Sequence, residues 1–279
     1  MAPPRGGAVY RRGMKGAWAT DVHLEFLKGD GFERFVASVA ALDAEALFLT
    51  GDIAHAESIE ATLRRVRAAV GIPVLFVLGN HDYYRGGVAE VRAMASTLHE
   101  RDAGLRWLPA AGPWRAADGT VVVGVDGWGD GRAGAPEAST VQLNDWLLIR
   151  ELREAGAMHD VAARRRCLAA LADGDAARLE GALREAVTGA ARVVVLTHVP
   201  PFEGACWHEG AVSDGEWLPW FTCVAVGEVL ARVARENPAV GFEVYCGHTH
   251  SPGEYRATEN LVVHTGQGRY GATFVRPAG

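Results

Sequence analysis

The stretch Pro73-Val-Leu-Phe-Val-Leu-Gly-Asn-His-Asp82 decides the fold, because an apolar run ends there in a turn of polar residues. An uninterrupted apolar run bounded by turn residues is typical of a strand that is covered on both faces, as in a parallel sheet. Six further runs of this kind lie at residues 17–20, 46–50, 121–125, 192–197, 242–246 and 261–264. Helical periodicity separates most of them, so the pattern predicts an α/β fold of layered helices and sheets.

Apolar residues between these runs recur every three or four positions, as Phe32, Phe35, Val36 and Val39 do. Each such connection is expected to be a helix that packs one apolar stripe on a sheet. Residues 139–190 form a longer helical passage between two strand candidates. We interpret this insertion either as a cap over one end of the sheet or as a peripheral shield of an edge strand. Because no linker or repeat marks a boundary, residues 1–279 are expected to form a single domain.

The composition limits the classes of function. The 28 Lys and Arg residues stand against 34 Asp and Glu residues, a formal charge of −6, which argues against a broad basic face for duplex nucleic acid. No apolar run reaches the roughly 18 residues of a membrane helix, and the N-terminal region lacks the apolar segment of a signal peptide. The four cysteines show no C-x-x-C spacing and are expected to be reduced. We therefore expect a soluble cytoplasmic protein without a membrane partner; its oligomeric state stays open.

Polar side chains follow five of the strand candidates at the point where each strand ends. They are Asp21, His23, Asp52, Asn80, His198, His248 and His250. Ligands gather outside the carboxyl ends of strands in sheets of this kind, so we expect these side chains to meet in one crevice. Oxygen and nitrogen donors without cysteine favour divalent Mn, Fe or Zn. Seven donors are too many for one ion and fit two that share a carboxylate. Such pairs assist in-line displacement at phosphorus, which predicts phosphoester hydrolysis.

The ordered set of motifs resembles the calcineurin-like metallophosphoesterase superfamily. The matching elements are Asp21-x-His23, Gly51-Asp52, Gly79-Asn80-His81-Asp82, His198 and Gly247-His248-x-His250. Each element is weak alone, but together, in the order of the family, they span about 230 of the 279 residues. The resemblance implies a four-layer α/β/β/α sandwich with the metal ions at the strand ends.

The resemblance also implies a role for each position. One ion would be held by Asp21, His23, Asp52 and His250. The other would be held by Asp52, Asn80, His198 and His248. Asp52 and a hydroxide would bridge two divalent transition-metal ions, with Mn placed before Fe or Zn, and the hydroxide would attack phosphorus.

Two further residues of the Gly-Asn-His-Asp element receive catalytic roles from the resemblance. His81 would lie near the leaving oxygen as a general acid or charge stabiliser rather than as a ligand. Asp82 would orient the His81 ring, although a helix cap is an alternative for this carboxylate. Taken singly, the predicted ligands also suit other roles: Asn80 suits a turn, and His198 suits a hydrogen-bonded core histidine.

The segment after His198 is rich in aromatic residues and carries three of the eight tryptophans, Trp207, Trp217 and Trp220. We interpret it as a loop that walls the cleft, with an aromatic face for a base, sugar or aryl group and with His208 facing the phosphate. The alternative is a core plug formed by the residues from Trp217 to Phe221.

Candidates for contact with substrate also lie elsewhere. Tyr83, directly after the Gly-Asn-His-Asp element, and His55, close to Asp52, are two of them, with packing and solvent exposure as their alternatives. The basic run Arg164-Arg165-Arg166 is interpreted as a solvated helix face.

The motifs leave open which phosphoester is hydrolysed. Gly51-Asp52 is followed by Ile53-Ala54-His55, whereas serine/threonine protein phosphatases of the superfamily continue the Gly-Asp motif into Asp-Arg-Gly. The missing arginine removes a group that would hold phosphate, so that subclass is disfavoured. A site with few additional cations suits diesters, which carry one negative charge fewer, so a phosphodiesterase is favoured. The alternatives are a small-molecule phosphomonoesterase and a nuclease; nucleic acid is a possible but not a favoured partner. A non-catalytic protein-binding scaffold of the same fold is the least supported.

Overall fold

The computed structural model describes residues 13–278. In chain order the strands are β1 (Gly16–Ala19), β2 (Ala46–Thr50), β3 (Val74–Val77), β4 (Leu105–Trp107), β5 (Trp114–Arg115), β6 (Val121–Gly124), β7 (Arg192–Leu196), β8 (Trp207–His208), β9 (Ala211–Val212), β10 (Gly241–Cys246), β11 (Gly253–Thr258), β12 (Leu261–Thr265) and β13 (Arg276–Ala278). All seven predicted runs are strands, within a residue or two at each end.

The α-helices connect and cover these strands. They are α1 (Gly31–Ala40), α2 (Ile59–Val70), α3 (Val88–Ser96), α4 (Leu98–Arg101), α5 (Leu108–Ala111), α6 (Asp145–Leu148), α7 (Arg150–Glu154), α8 (Val161–Ala186), α9 (Leu218–Phe221) and α10 (Val224–Glu236). Short 3-10 turns occupy Leu24–Phe26, Asn80–Tyr83 and Glu203–Ala205. Within the described part of the chain, no helix combines the length and the apolarity needed to cross a bilayer.

The strands form two large sheets. The first has the order β13-β1-β2-β3-β4, and the second has the order β11-β12-β10-β7-β6-β5. Pairing is parallel except at β13 in the first sheet and at β11 and β5 in the second, all three of which lie at a sheet edge. The parallel core of each sheet requires crossover connections, which the helices supply.

The two sheets pack face to face because alternate residues of each strand point to opposite sides. Phe48 and Leu75 of the first sheet share one apolar cluster with Val194 and Tyr245 of the second. Their neighbours in sequence, such as Leu47, belong instead to the cluster that includes the helices. Both faces of each strand are therefore buried, which explains the continuous apolar runs.

Helices cover the outer face of each sheet. Phe35 of α1 and Leu63 of α2 join the cluster behind the first sheet. On the second sheet α8 lies against β6 and α10, and its first turn is capped by Asp160, whose carboxylate accepts a hydrogen bond from the amide of Ala163 at 2.9 Å. The order of layers is α/β/β/α, which confirms the predicted sandwich.

The helical stretch 139–190 serves two different parts of the molecule. Helix α8 forms one of the outer layers, with Leu179 and Leu183 buried in the core. Residues 142–145 instead line a cavity at the carboxyl ends of the parallel strands. The long helix is thus a structural layer, and only the segment before it reaches the polar crevice.

Candidate metal centre

The backbone is left-handed at five of the predicted ligands. The φ angles are 49° at Asp21, 39° at His23, 52° at Asp52, 70° at His248 and 61° at His250. Residues with a Cβ disfavour this region by roughly 1–2 kcal/mol, and such strain clusters at functional sites. The left-handed backbone turns the chain, so that side chains two residues apart, as in Asp21-x-His23, point into one crevice. The amide of His23 donates to the carbonyl of Asp52 at 2.9 Å, which ties the loop after β1 to the loop after β2.

Four of the predicted donors form one compact group. Asp21, His23, Asp52 and His250 each bring one ligand atom within 4.8 Å of all the others. The His23 Nε2 atom lies 3.7 Å from Asp52 Oδ2, and the His250 Nε2 atom lies 3.3 Å from Asp21 Oδ1. Neither ring nitrogen of His23 has a hydrogen-bond partner, although the side chain is fully buried. A buried imidazole without a partner is costly, and a cation at this group would satisfy it.

The remaining donors form a second group around the amide oxygen of Asn80. Asn80 Oδ1 lies 3.1 Å from His198 Nε2 and 3.1 Å from His248 Nδ1. The His198 Nε2 atom is also 3.4 Å from Asp52 Oδ1. Asp52 therefore faces both groups, with one carboxylate oxygen toward His23 and the other toward His198. This arrangement fits a carboxylate that two cations share.

Backbone carbonyls orient the rings of the second group. Thr50 O lies 2.8 Å from His198 Nδ1, and Trp220 O lies 3.2 Å from His248 Nε2. Since a carbonyl only accepts, each of these ring nitrogens carries the proton. The lone pairs of His198 Nε2 and His248 Nδ1 then point toward Asn80 and Asp52, as metal coordination requires.

The protonation states of the buried groups are compatible with cation binding. Burial lowers the pKa of His23 to about 3 and that of His248 to about 3, so both rings are neutral. Burial raises the pKa of Asp52 well above its usual value, and the nearby charge of Asp21 adds to this effect. A cation beside Asp52 supplies the opposite charge that a buried carboxylate needs.

His81 lies beside the donor groups. Its Nε2 atom is 3.9 Å from Asp52 Oδ2, and its ring stacks on Tyr84 with 4.1 Å between centroids. Burial and the nearby imidazoles of His23 and His198 lower the pKa of His81 to about 2. The His81 Nδ1 atom has no hydrogen-bond partner. A neutral His81 ring can donate one N–H to a group in the crevice.

Asp82 does not orient the His81 ring, contrary to the prediction from the resemblance. Its Oδ1 atom accepts from the amides of Ile53 at 2.7 Å and Ala54 at 2.9 Å, and its Oδ2 atom accepts from Gly79 at 2.7 Å. Asp82 is fully buried. A short carboxylate at this position reaches back to backbone amides, as turn-forming aspartates do. It joins the loop that carries Asp52 to the turn that carries Asn80.

Asp145 is a site residue that sequence reasoning missed. Its Oδ1 atom accepts from Asn80 Nδ2 at 2.8 Å and from the Tyr84 hydroxyl at 2.6 Å. The first bond leaves Asn80 Oδ1 facing the two histidines, and the second fixes the ring that stacks on His81. No local signal marks this residue, because it lies in a helical stretch 65 positions after Asn80.

The donor groups open into a cavity of about 550 Å³. His208 lines this cavity, and its contact with substrate stays a prediction. Tyr83 does not line it, because the ring is fully buried and the hydroxyl donates to Asp126 at 2.7 Å. The next residue, Tyr84, lines the cavity instead. His55 lies outside the lining and places Nε2 3.3 Å from the carboxylate of Glu25.

The aromatic segment after His198 divides between wall and core. Trp217 and Phe221 line the cavity, whereas Trp220 is buried. Arg164 is buried as well, not solvated as the basic run predicted. Its guanidinium carbon lies 4.5 Å from the ring centroid of Trp146 and 4.8 Å from that of Trp220. The two indole rings attract the buried cation, which holds Trp220 in place. The carbonyl of Trp220 in turn orients His248.

Several solved structures share this fold. A dimetal phosphatase from Danio rerio is 13% identical, with a TM-score of 0.54 over 91% of this chain and 87% of that one. The phosphopantetheinyl hydrolase of Mycobacterium tuberculosis is 15% identical, with a TM-score of 0.59 over 92% of this chain and 91% of that one. At these identities the likeness shows the fold alone. Among curated proteins, none matches this chain.

A family model covers most of the sequence. The model of calcineurin-like phosphoesterases matches residues 14–252, a range that contains every donor of the two groups. The motifs, the sandwich and the donor groups agree with this match. The chain therefore belongs to the calcineurin-like phosphoesterase family of metal-dependent hydrolases that act on phosphoesters.

Proposed function

We propose that the two donor groups hold two divalent transition-metal ions that share Asp52, and that the chain hydrolyses phosphodiesters. The observation that carries this proposal is the convergence of seven donors from five loops around Asp52. Four of these donors line one cavity, and both ring nitrogens of the buried His23 have no hydrogen-bond partner. A fold has no structural reason to collect four imidazoles at strand ends and to leave a buried one of them without a partner.

The ions and the protein supply different parts of the chemistry. Bound ions would acidify water and neutralise charge that develops on the phosphate oxygens. The carbonyls of Thr50 and Trp220 keep the rings of His198 and His248 in the tautomers that leave the inward nitrogens free. His81 lines the cavity and is not needed as a ligand, so it can donate a hydrogen bond to the oxygen of the leaving alcohol.

The charge of the cavity favours a diester over a monoester. Among the described residues that line it there is no lysine or arginine, and Asp145 and Asp214 are acidic. A phosphomonoester carries a second negative charge that additional cations would have to neutralise. A diester carries one charge, which the two ions alone would balance. The same acidity disfavours long nucleic acid, which relies on lysine and arginine contacts to phosphates.

The donor chemistry also bears on the metals. Mixed carboxylate, amide and imidazole donors suit Mn, with Fe or Zn as alternatives. We further propose a cytoplasmic location, supported by four cysteines that are all unpaired, three of them buried.

Reconstitution with single metals tests the proposed activity. The protein is stripped of metal, loaded separately with Mn, Fe or Zn, and assayed with bis(4-nitrophenyl) phosphate and with 4-nitrophenyl phosphate. The proposal predicts a higher kcat/KM for the diester. Efficient turnover of the monoester with negligible turnover of the diester would show a phosphomonoesterase instead. Low metal content without hydrolysis of either ester would support a scaffold.

A further inference from the structure

Two pairs of aromatic side chains extend from the donor groups, one pair from each group, through tilted and edge-to-face ring contacts. The ring of Phe221 lies 4.5 Å from that of His248, and the ring of Trp217 lies 5.4 Å from that of Phe221. We call Phe221 and Trp217 the Trp217 arm. On the other group, the ring of Tyr270 lies 4.5 Å from that of His23, and Phe26 follows at 5.2 Å. We call Tyr270 and Phe26 the Tyr270 arm.

Both arms end in solvent. Trp217 is 45% exposed, Tyr270 is 51% exposed and Phe26 is 42% exposed, which is unusual for side chains of this size. Trp217, Phe221 and Tyr270 line the same cavity as the donor groups. Exposed aromatic rings at the mouth of a cavity are typical of a surface that a ligand covers.

The chemistry of the arms selects uncharged groups. Aromatic rings pack on planar or apolar partners and attract them more strongly than the buried area alone would. The described cavity lining offers no lysine or arginine to pair with an acidic substituent. Leu143 and Val212 add apolar surface to the same wall. A substituent beyond the phosphate would therefore meet aromatic and aliphatic surface rather than cations.

We infer that the substrate is a phosphodiester with two uncharged aromatic or apolar ester groups, one covered by the Trp217 arm and the other by the Tyr270 arm. This inference rests on the proposed function. One carboxylate oxygen of Asp52 faces His23, where one arm begins, and the other faces His198, whose ring lies 5.0 Å from that of His248, where the other arm begins. A phosphate bound at Asp52 would therefore have one arm on each side. A diester extends one group toward each arm, whereas a monoester leaves one arm uncovered.

Equilibrium binding tests the arms independently of turnover. Diphenylphosphinate is a monoanion with two phenyl groups on bonds that cannot be hydrolysed, and dimethylphosphinate is the matched small probe. The Mn-loaded protein is expected to bind the diphenyl probe about tenfold more tightly, since each of the two covered rings is worth about 0.7 kcal/mol. Trp217→Ala and Tyr270→Ala are each expected to reduce this preference about threefold to fivefold. Calorimetric titration measures both affinities.

The control is Leu147→Ala, which truncates a side chain that is 47% exposed and lies outside the cavity lining. This variant is expected to keep the full preference for the diphenyl probe. Equal affinity of the unsubstituted protein for the two probes overturns the inference, and so does a preference that only one of the two arm substitutions reduces. Circular dichroism confirms that the three variants are folded.

Hydrolysis separates the failure of this inference from the failure of the proposed function. In one outcome the diphenyl preference depends on both arms, but only 4-nitrophenyl phosphate is hydrolysed. The proposed diester activity is then wrong, and the inference about the substrate is overturned because the arms bind another ligand. If bis(4-nitrophenyl) phosphate is hydrolysed efficiently but neither arm affects binding, the diester activity stands and the inference alone fails.

Discussion

The side-chain amide of Asn80 donates a hydrogen bond of 2.8 Å to the buried carboxylate of Asp145, and this bond fixes which atom of Asn80 faces His198 and His248. Without it, the amide can rotate and present nitrogen instead of oxygen to His198 and His248. Asp145 also accepts from Tyr84, whose ring stacks on His81. The carboxylate of Asp145 thus orients the predicted ligand Asn80 and also holds Tyr84, the ring that stacks on His81.

Replacement of Asp145 tests this support. We expect Asp145→Ala to lower metal affinity or kcat/KM about 10–100-fold, as the loss of groups that orient metal ligands commonly does. Asp145→Asn keeps an oxygen that can accept from Asn80, so its loss should be smaller. Metal titration and kinetics on bis(4-nitrophenyl) phosphate measure both effects. Equal metal affinity and equal kcat/KM in the alanine variant and the unsubstituted protein would exclude a positioning role for Asp145.

His81 and Asp52 are expected to respond differently to substitution. His81→Ala should keep both ions and lose about 10²–10⁴-fold in kcat, because the substitution removes the proposed hydrogen-bond donor to the leaving oxygen. Asp52→Asn should lose metal as well as turnover, because the carboxylate faces both donor groups. Metal content by mass spectrometry, measured beside kcat, distinguishes the two. An empty site in the His81 variant would show that His81 is a ligand.

The backbone of Gly79 lies so close to Asp52 that a side chain at position 79 would displace Asp52. A Cβ at this position would overlap Asp52 Oδ1 and lie 2.6 Å from Asp52 N. We expect Gly79→Ala to destabilise the fold by about 1–3 kcal/mol and to reduce metal occupancy. Gly215→Ala is the control, because nothing lies within 4 Å of the added atom. Chemical denaturation and metal analysis test the pair, and unchanged occupancy in the Gly79 variant would contradict the expected displacement of Asp52.

Arg164 is expected to matter for stability although it touches no predicted ligand. Arg164→Ala removes the cation between Trp146 and Trp220 and the donor to the carbonyl of Ala157. We expect a loss of about 2–4 kcal/mol, from the cavity and the lost cation–π contacts. The exposed neighbour in Arg166→Ala should cost less than about 0.5 kcal/mol. Urea denaturation measures the free energy of unfolding of both variants. Similar losses of stability in the two would mean that Arg164 contributes no more than a surface residue.

The parallel strands could be predicted because both of their faces are buried. A strand such as β2 shows a continuous apolar run, and burial on two sides requires no alternation. The edge strand β11 alternates in exposure along Gly253–Thr258 and carries little apolar signal, and β8 has two residues. Such strands depend on neighbours that are distant in sequence, so local patterns do not predict them.

The donor set could be predicted because each donor lies within four residues after the end of a strand. The positions of Asp21, Asp52 and His198 predict that these side chains lie close together, since parallel strands end at one edge of a sheet. Asp145 could not be found, because its partner lies far away in the sequence. The true partners of Asp82 are backbone amides, which have no signature in the sequence.

An anomalous-scattering crystal structure of the Mn-loaded protein tests the central claim most directly. We predict two peaks about 3.5–4 Å apart, the spacing of metal pairs that act on phosphoesters. Asp52 should ligate both, with His23 and His250 on one ion and with His198 and His248 on the other. A single peak, or a second peak away from Asn80, would contradict the shared-carboxylate centre on which this account depends.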